Sequence, residues 1–208
     1  MTYIQAPADK RLVWYLAMEE YLAKQVEEEL FITWIVSPTV IFGRHQVMEA
    51  EVNVDFCRAN GIAMYRRKSG GGCVYADEGN LMMSMISPNK HSEVVFQQFL
   101  DKISDVLRHW GLPAVKSEHN DIMVEGKKVS GNACYALSTG TIVHGTMLVD
   151  VDLDMLQQAI TPSKEKLAKH GVKSVRQRVA NLARLVTNPQ LRTSTLVANR
   201  LSDALCLY

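Results

Sequence analysis

The chain has 208 residues, enough for one α/β-sized domain with a substantial core. Its composition, 47% hydrophobic and 22% charged, is that of a globular protein, and a net charge of +1 excludes the broad basic excess of a nucleic-acid binder. The four cysteines, Cys57, Cys73, Cys134 and Cys206, form no CxxC pair, which excludes a cysteine-zinc site and leaves free thiols.

The first ten residues lack the apolar run of a secretion signal. The longest apolar stretch, residues 31–43, is broken by Ser37 and Pro38 and is too short to cross a bilayer. A cytoplasmic protein with no membrane partner is expected. Residues 10–29 read as an amphipathic helix, with Trp14, Met18, Tyr21, Leu22 and Val26 at helical spacing and an acidic run, Glu27 to Glu29, at its end. Residues 31–36 and 39–44 read as two strands around a tight turn. Residues 73–75 and 81–86 read as two more, joined by the polar turn ADEGN.

The segment 92–111 carries the clearest helical signal. Ser92 is a candidate cap, Val95, Phe99, Ile103, Val106 and Trp110 fall on one face, and Gly111 with Pro113 ends it. Three strands are predicted over 120–154, with turns at Glu125–Gly126 and Ser138–Gly140. Helices are predicted at 153–160, 163–171 and 194–208. Strands in runs joined by short turns predict an α+β fold, a mixed and largely antiparallel sheet flanked by helices, in a single domain.

Four segments carry polar residues where a sheet core wants apolar ones. GRHQ at 43–46 reads, taken alone, as a solvated strand end. RRKSGGG at 66–72 sets Arg66 and Arg67 before Ser69, Gly70, Gly71 and Gly72. Three residues without a Cβ let a ligand rest on the main chain, and an arginine holds an anionic group by charge-assisted hydrogen bonds. The run leads into a strand and lacks a following GK[ST], so it is neither a dinucleotide fingerprint nor a Walker loop. In NDIMVEGKKVSGNA at 120–133, a hairpin brings Asn120 and Asp121 beside Lys128, with Gly131 inside the second strand. That pairing suits a carboxylate on Mg²⁺ and a lysine facing phosphate or carboxylate oxygens, or else a charged surface hairpin. In HGT at 144–146, Gly145 marks a close approach beside His144, itself either a ligand contact or a satisfied structural group.

Together these segments resemble the lipoate–protein ligase A family, within the biotin and lipoate ligase superfamily. The matching stretches are FGRHQ, RRKSGGGCVY, GN at 79–80, NDIMVEGKKVSGNA, HGTMLVDVDLDML and KSVRQRVANL, spanning residues 31 to 182. The resemblance implies a cytoplasmic enzyme that activates lipoate with ATP and Mg²⁺ to lipoyl-AMP. It then transfers the lipoyl group to a lysine of a carrier domain, that of a 2-oxoacid dehydrogenase E2 or a glycine cleavage H protein.

By this resemblance Lys128 contacts the carboxylate and the adenylate phosphate. Asn120 and Asp121 are the nucleotide and metal contacts, and Arg66, ahead of Arg67, meets the acyl group or the departing pyrophosphate. Ser69, Gly70, Gly71, Gly72, Cys73, Val74, Gly131, His144 and Gly145 fall in the binding motifs, and Val74, Met83 and Val143 are candidates to line the lipoyl tunnel.

Two departures stand out. Ala76 precedes Asp77 where many members have a histidine, and the small accessory domain of full-length ligases is expected to be absent, which leaves either weak activation or a separate polypeptide that supplies it. The alternatives are an octanoyl or lipoyl transferase working through a cysteine thioester on Cys134 or Cys73, a non-catalytic lipoyl-AMP carrier, and a biotin ligase. In the transferases marked by CxxHG, the cysteine position corresponds to Thr141 here.

Overall fold

A computed structural model of the chain describes residues 1–161 and 178–206. The predicted helix at 163–171 and the first half of the KSVRQRVANL motif lie outside them. Two sheets carry the fold. The larger runs β1 (Thr2–Gln5), β2 (Leu30–Trp34), β6 (Asn80–Ser87), β10 (Thr141–Leu148), β9 (Lys127–Ala136), β8 (Asp121–Val124) and β7 (Ala114–Lys116), in that spatial order. Only its β1–β2 pair is parallel. The smaller has β3 (Thr39–Phe42) between β4 (Ala63–Arg66), parallel, and β5 (Val74–Ala76), antiparallel.

The predicted hairpins at 31–44 and 73–86 are therefore corrected. β2 and β3, like β5 and β6, lie in different sheets. Pro38 and the ADEGN turn mark crossings between sheets, since neither supplies the two-residue turn that would fold one strand back on the other.

Helices cover both faces of the large sheet. α4 (Ser92–His109) buries Val95, Phe96, Phe99, Leu100, Ile103, Val106 and Leu107 on one face, together with α6 (Ser194–Cys206). It starts without a side-chain cap and stops at Gly111, whose φ of +87° suits glycine. On the other face lies α1 (Leu12–Ala23), which is shorter than predicted and rotated from the predicted face. Leu12, Tyr15, Glu19 and Ala23 are buried, while Trp14 and Tyr21 are exposed. The helix is apolar almost all round, so periodicity alone does not select its inner side. α2 (Met48–Glu51), α3 (Val54–Ala59) and α5 (Leu153–Ala159) surround the small sheet, where Val40, Phe42, Cys57, Tyr75 and Leu156 form a separate core.

Every residue of β6 is buried, because the strand is covered on both sides. Leu81, Met83 and Met85 face the α4 core, while Met82 and Ile86 face α1. Where β8 turns into β9, Glu125 and Gly126 have φ of +50° and +73°, the left-handed pair of a tight hairpin, as the sequence predicts. A bulge follows: Met123 pairs with Lys128 but Ile122 pairs with Ser130. On a regular strand Lys128 and Gly131 would point to opposite faces. The bulge brings both to the α1 side.

Candidate active site

On the α1 side of the large sheet lies a cavity of about 230 Å³. It crosses the strands from β2 to β8, four inter-strand steps, or about 19 Å. One end is apolar, formed by Leu12 and Leu16 of α1, Trp34 of β2, Ile41 of β3, Val74 of β5 and Met82 of β6. The other is polar and charged, formed by His119, Asn120, Asp121, Lys128 and Arg178. Between them, His144, Gly145 and Thr146 of β10 form the floor, while Gly71, Gly72 and Arg67 border the cavity from the glycine loop.

The charged end is held by one carboxylate. Lys128 Nζ lies 2.8 Å from Asp121 Oδ1, and the Arg178 guanidinium donates to Asp121 Oδ2. Asp121 is 5% exposed, so this neutralisation occurs largely away from water, where it is strongest. Gly131 makes room for it, since a Cβ there would sit 2.5 Å from Lys128 Nζ. Asn120 adopts a φ of +66°, and its carbonyl accepts from Asn132 Nδ2 at 3.0 Å. A Cβ at Gly145 would sit 2.0 Å from Asn132 Oδ1. The close approach read at Gly145 is thus to Asn132, a residue the sequence reading did not select.

Asp121, expected as the metal contact, is paired with cations in this arrangement. Both its oxygens are engaged by cations, and among the described residues no group of three or more His, Cys, Asp or Glu side chains could hold an ion.

The two arginines of the glycine motif divide their work differently from the expectation. Arg66 Nη1 donates to the carbonyls of Gly43, Arg44 and Gln46, and its guanidinium stacks 4.5 Å over Phe42. It is outside the cavity lining and pins the 43–46 segment. Arg67 lines the cavity, is 7% exposed, and ties the loop together. Its Nη2 donates to the carbonyls of Gly70 and Gly72 at 2.6 and 2.7 Å, Nη1 to Ile41 O, and Nε to Ser69 Oγ at 3.0 Å. Burial pulls its pKa down to about 10, against an upward pull from Cys73, so it stays a cation at neutral pH. With those carbonyls turned to Arg67, no backbone hydrogen bond engages the N–H groups of Gly70, Gly71 or Gly72 among the described residues. Gly71 has a φ of +86°, and its carbonyl would lie 2.2 Å from a Cβ on Gly43, so the loop packs on backbone alone.

Ser69 and Gly70 are not part of the lining: Ser69 is buried and bonded to His144 Nε2 at 2.6 Å, and Gly70 is exposed. Cys73 and Val74 line the cavity. Met83 and Val143 do not: both are fully buried in the α4 core, and Met82 takes the tunnel position. Cys134 also packs against the α4 core, and burial raises its thiol pKa above the usual cysteine value, which disfavours a thiolate nucleophile. Ala76 is buried beside Trp34, Ile41 and Met82, outside the cavity lining. Sequence reading missed Trp34, Met82, Leu12 and Leu16, whose only signal is apolarity, and Arg178, which stood inside a quoted motif without a role.

An apolar trough ending in paired cations suits an amphiphile with an anionic head. Comparison with known proteins gives the family. Residues 13–205 match the model of the lipoyl protein ligase A/B catalytic domain. Lipoate–protein ligase 1 of Staphylococcus aureus is 40% identical over 177 residues, 84% of this chain and 54% of that protein. The chain spans about half the length of the curated relatives it matches. Among solved structures, a lipoate–protein ligase A bound with ATP superimposes with a TM-score of 0.80 at 28% identity, covering 99% of this chain and 84% of that one. A bi-partite lipoate protein ligase of Thermoplasma acidophilum, described with its E2 lipoyl domain, gives 0.80 at 28%, covering 99% and 83%. The chain belongs to the lipoyl protein ligase A/B catalytic domain family.

Proposed function

We propose that this chain is the catalytic part of an ATP-dependent lipoate–protein ligase, which makes lipoyl-AMP and then lipoylates a lysine of a carrier domain. One observation carries the reading: the apolar trough runs directly into the Lys128–Asp121–Arg178 cluster. The lipoyl tail lies between α1 and the sheet, against Leu16, Trp34 and Met82. Its carboxylate reaches Lys128.

In the first step a carboxylate oxygen bonds to the α-phosphorus of ATP and the bond to the β-phosphate oxygen breaks, releasing pyrophosphate. Two anions must be brought together, so the chain's task is charge neutralisation and alignment. Lys128 and Arg178 exchange Asp121 for ligand oxygens, and the Gly70–Gly72 N–H groups face the acyl-phosphate junction. Mg²⁺ enters as part of the nucleotide substrate, carried by phosphate oxygens. In the second step the carrier lysine amine attacks the acyl carbon, the bond to AMP breaks, and the nitrogen loses a proton. A mixed anhydride needs no enzyme nucleophile, consistent with Cys134 facing the far core.

The partner is a lipoyl carrier domain of the E2 or H-protein kind, in the cytoplasm where ATP is available. The name of the T. acidophilum assembly supports such a partner and a ligase in two parts. The test is pyrophosphate release from lipoate and Mg-ATP, with and without the accessory domain of a relative. Release that disappears in Lys128→Ala supports the reading; no release under either condition refutes it.

A further inference from the structure

A carboxylate with no access to water lies outside this chemistry. Glu19, on α1, is 0% exposed and sits among Leu12, Tyr15 and Ala23 on the helix's inner face. Burying such a group is costly unless every oxygen is satisfied. Both of its oxygens are. Oε1 accepts from Ser84 Oγ, and Oε2 lies 3.3 Å from His144 Nδ1. Ser84 and His144 stand directly opposite each other on β6 and β10, so the sheet register delivers both partners to one helix position.

From His144 the chain of contacts continues to the glycine loop. His144 Nε2 lies 2.6 Å from Ser69 Oγ, and the same Oγ accepts from Arg67 Nε at 3.0 Å. Arg67 in turn holds the carbonyls of Gly70 and Gly72. His144 and Arg67 line the cavity, whereas Glu19 and Ser69 do not.

We infer that Glu19 is a positioning residue for the ligase reaction, fixing His144 so that Ser69 and Arg67 hold the glycine loop in register over the cavity. The inference rests on the ligase reading for its kinetic consequence only. A carboxylate accepts and cannot donate, so it requires a proton on His144 Nδ1. In the neutral ring Nε2 is then an acceptor, and Ser69 gives it its hydroxyl proton. That leaves a lone pair of Ser69 Oγ for the Arg67 Nε–H. Each bond then has one donor and one acceptor, and the Ser69 hydroxyl proton has Nε2 as its acceptor. An apolar residue at position 19 frees the ring to take the other tautomer, and the Ser69 hydroxyl loses its acceptor.

Glutamine preserves the pattern. Its amide oxygen accepts from Nδ1–H, and its NH₂ donates to Ser84 Oγ. Glu19→Met is expected to raise the KM for lipoate about tenfold, the size of one buried polar group left unsatisfied. It should leave the KM for ATP near wild type and lower the melting temperature, because Ser84 and His144 lose the carboxylate they share. Glu19→Gln should restore the lipoate KM.

Two readouts need no substrate and so stand apart from the ligase reading. Nitrogen-15 spectra of the wild-type imidazoles should show the His144 proton on Nδ1. Amide exchange at residues 70–73 should quicken in Glu19→Met and return in Glu19→Gln. A proton on Nε2 in the wild type, or loop exchange unchanged in Glu19→Met, overturns the inference. So does a Glu19→Gln variant as impaired as Glu19→Met.

Discussion

At Gly131 the absence of a side chain is what allows Lys128 to reach Asp121. Gly131→Ala would place a methyl group 2.5 Å from Nζ and force the lysine aside. A displacement of that order costs about 100-fold in an aligned reaction. Pyrophosphate release should fall to that extent while the thermal melt stays close to wild type. Cys134 offers a pH test. Burial raises its pKa, so a smaller fraction is thiolate at any given pH below that value. Iodoacetamide should therefore label Cys134 more slowly than free cysteine at pH 7.5, with the rate climbing as pH rises through the elevated pKa; peptide mass spectrometry reads it. The Asp121–Lys128 contact was legible in the sequence because Glu125–Gly126 is a strong hairpin signal and fixes which residues face each other. Glu19 was not, because a carboxylate beside a second one, in a chain segment rich in glutamate, reads as solvated surface. Nor does local pattern say which of two adjacent arginines turns inward: Arg67 does, because Ile41, Gly70 and Gly72 offer it carbonyls.

β6 shows at the scale of an element why strand existence was readable and strand orientation was not. Asn80–Ser87 has no apolar–polar alternation, so nothing in LMMSMI marks which methionine meets the cavity. The structure separates them, Met82 to the cavity and Met83 to the α4 core. Met83→Ala should cost about 2–5 kcal/mol in urea unfolding and leave the lipoate KM unchanged. Met82→Ala should do the reverse, shifting the KM with a smaller loss of stability. α4 was legible almost residue by residue, since Val95, Phe99, Ile103 and Val106 repeat at helical spacing against a polar outer face. α1 resisted the same reading because its outer side also carries Val13, Trp14 and Tyr21. Of the small sheet, β3 and β5 were found but paired wrongly, because a chain passing from one sheet to another looks locally like a turn, and β4 was missed.

In the whole molecule, the family and the location of chemistry could be read from spaced motifs, while the cavity's apolar half came only from long-range packing. The chain covers about half of its curated relatives' length, and the proposed reaction places the nucleotide at the charged end of the cavity. Pyrophosphate release by this chain should rise when a relative's accessory domain is added in trans; a rate indifferent to it would place the complete active surface here. The large sheet also acts as a partition. Side chains that line the cavity and side chains that hold α4 and α6 alternate along the same strands, separated by one backbone thickness. Selection for a different ligand can therefore redraw one surface of the sheet while the opposite surface keeps the protein foldable.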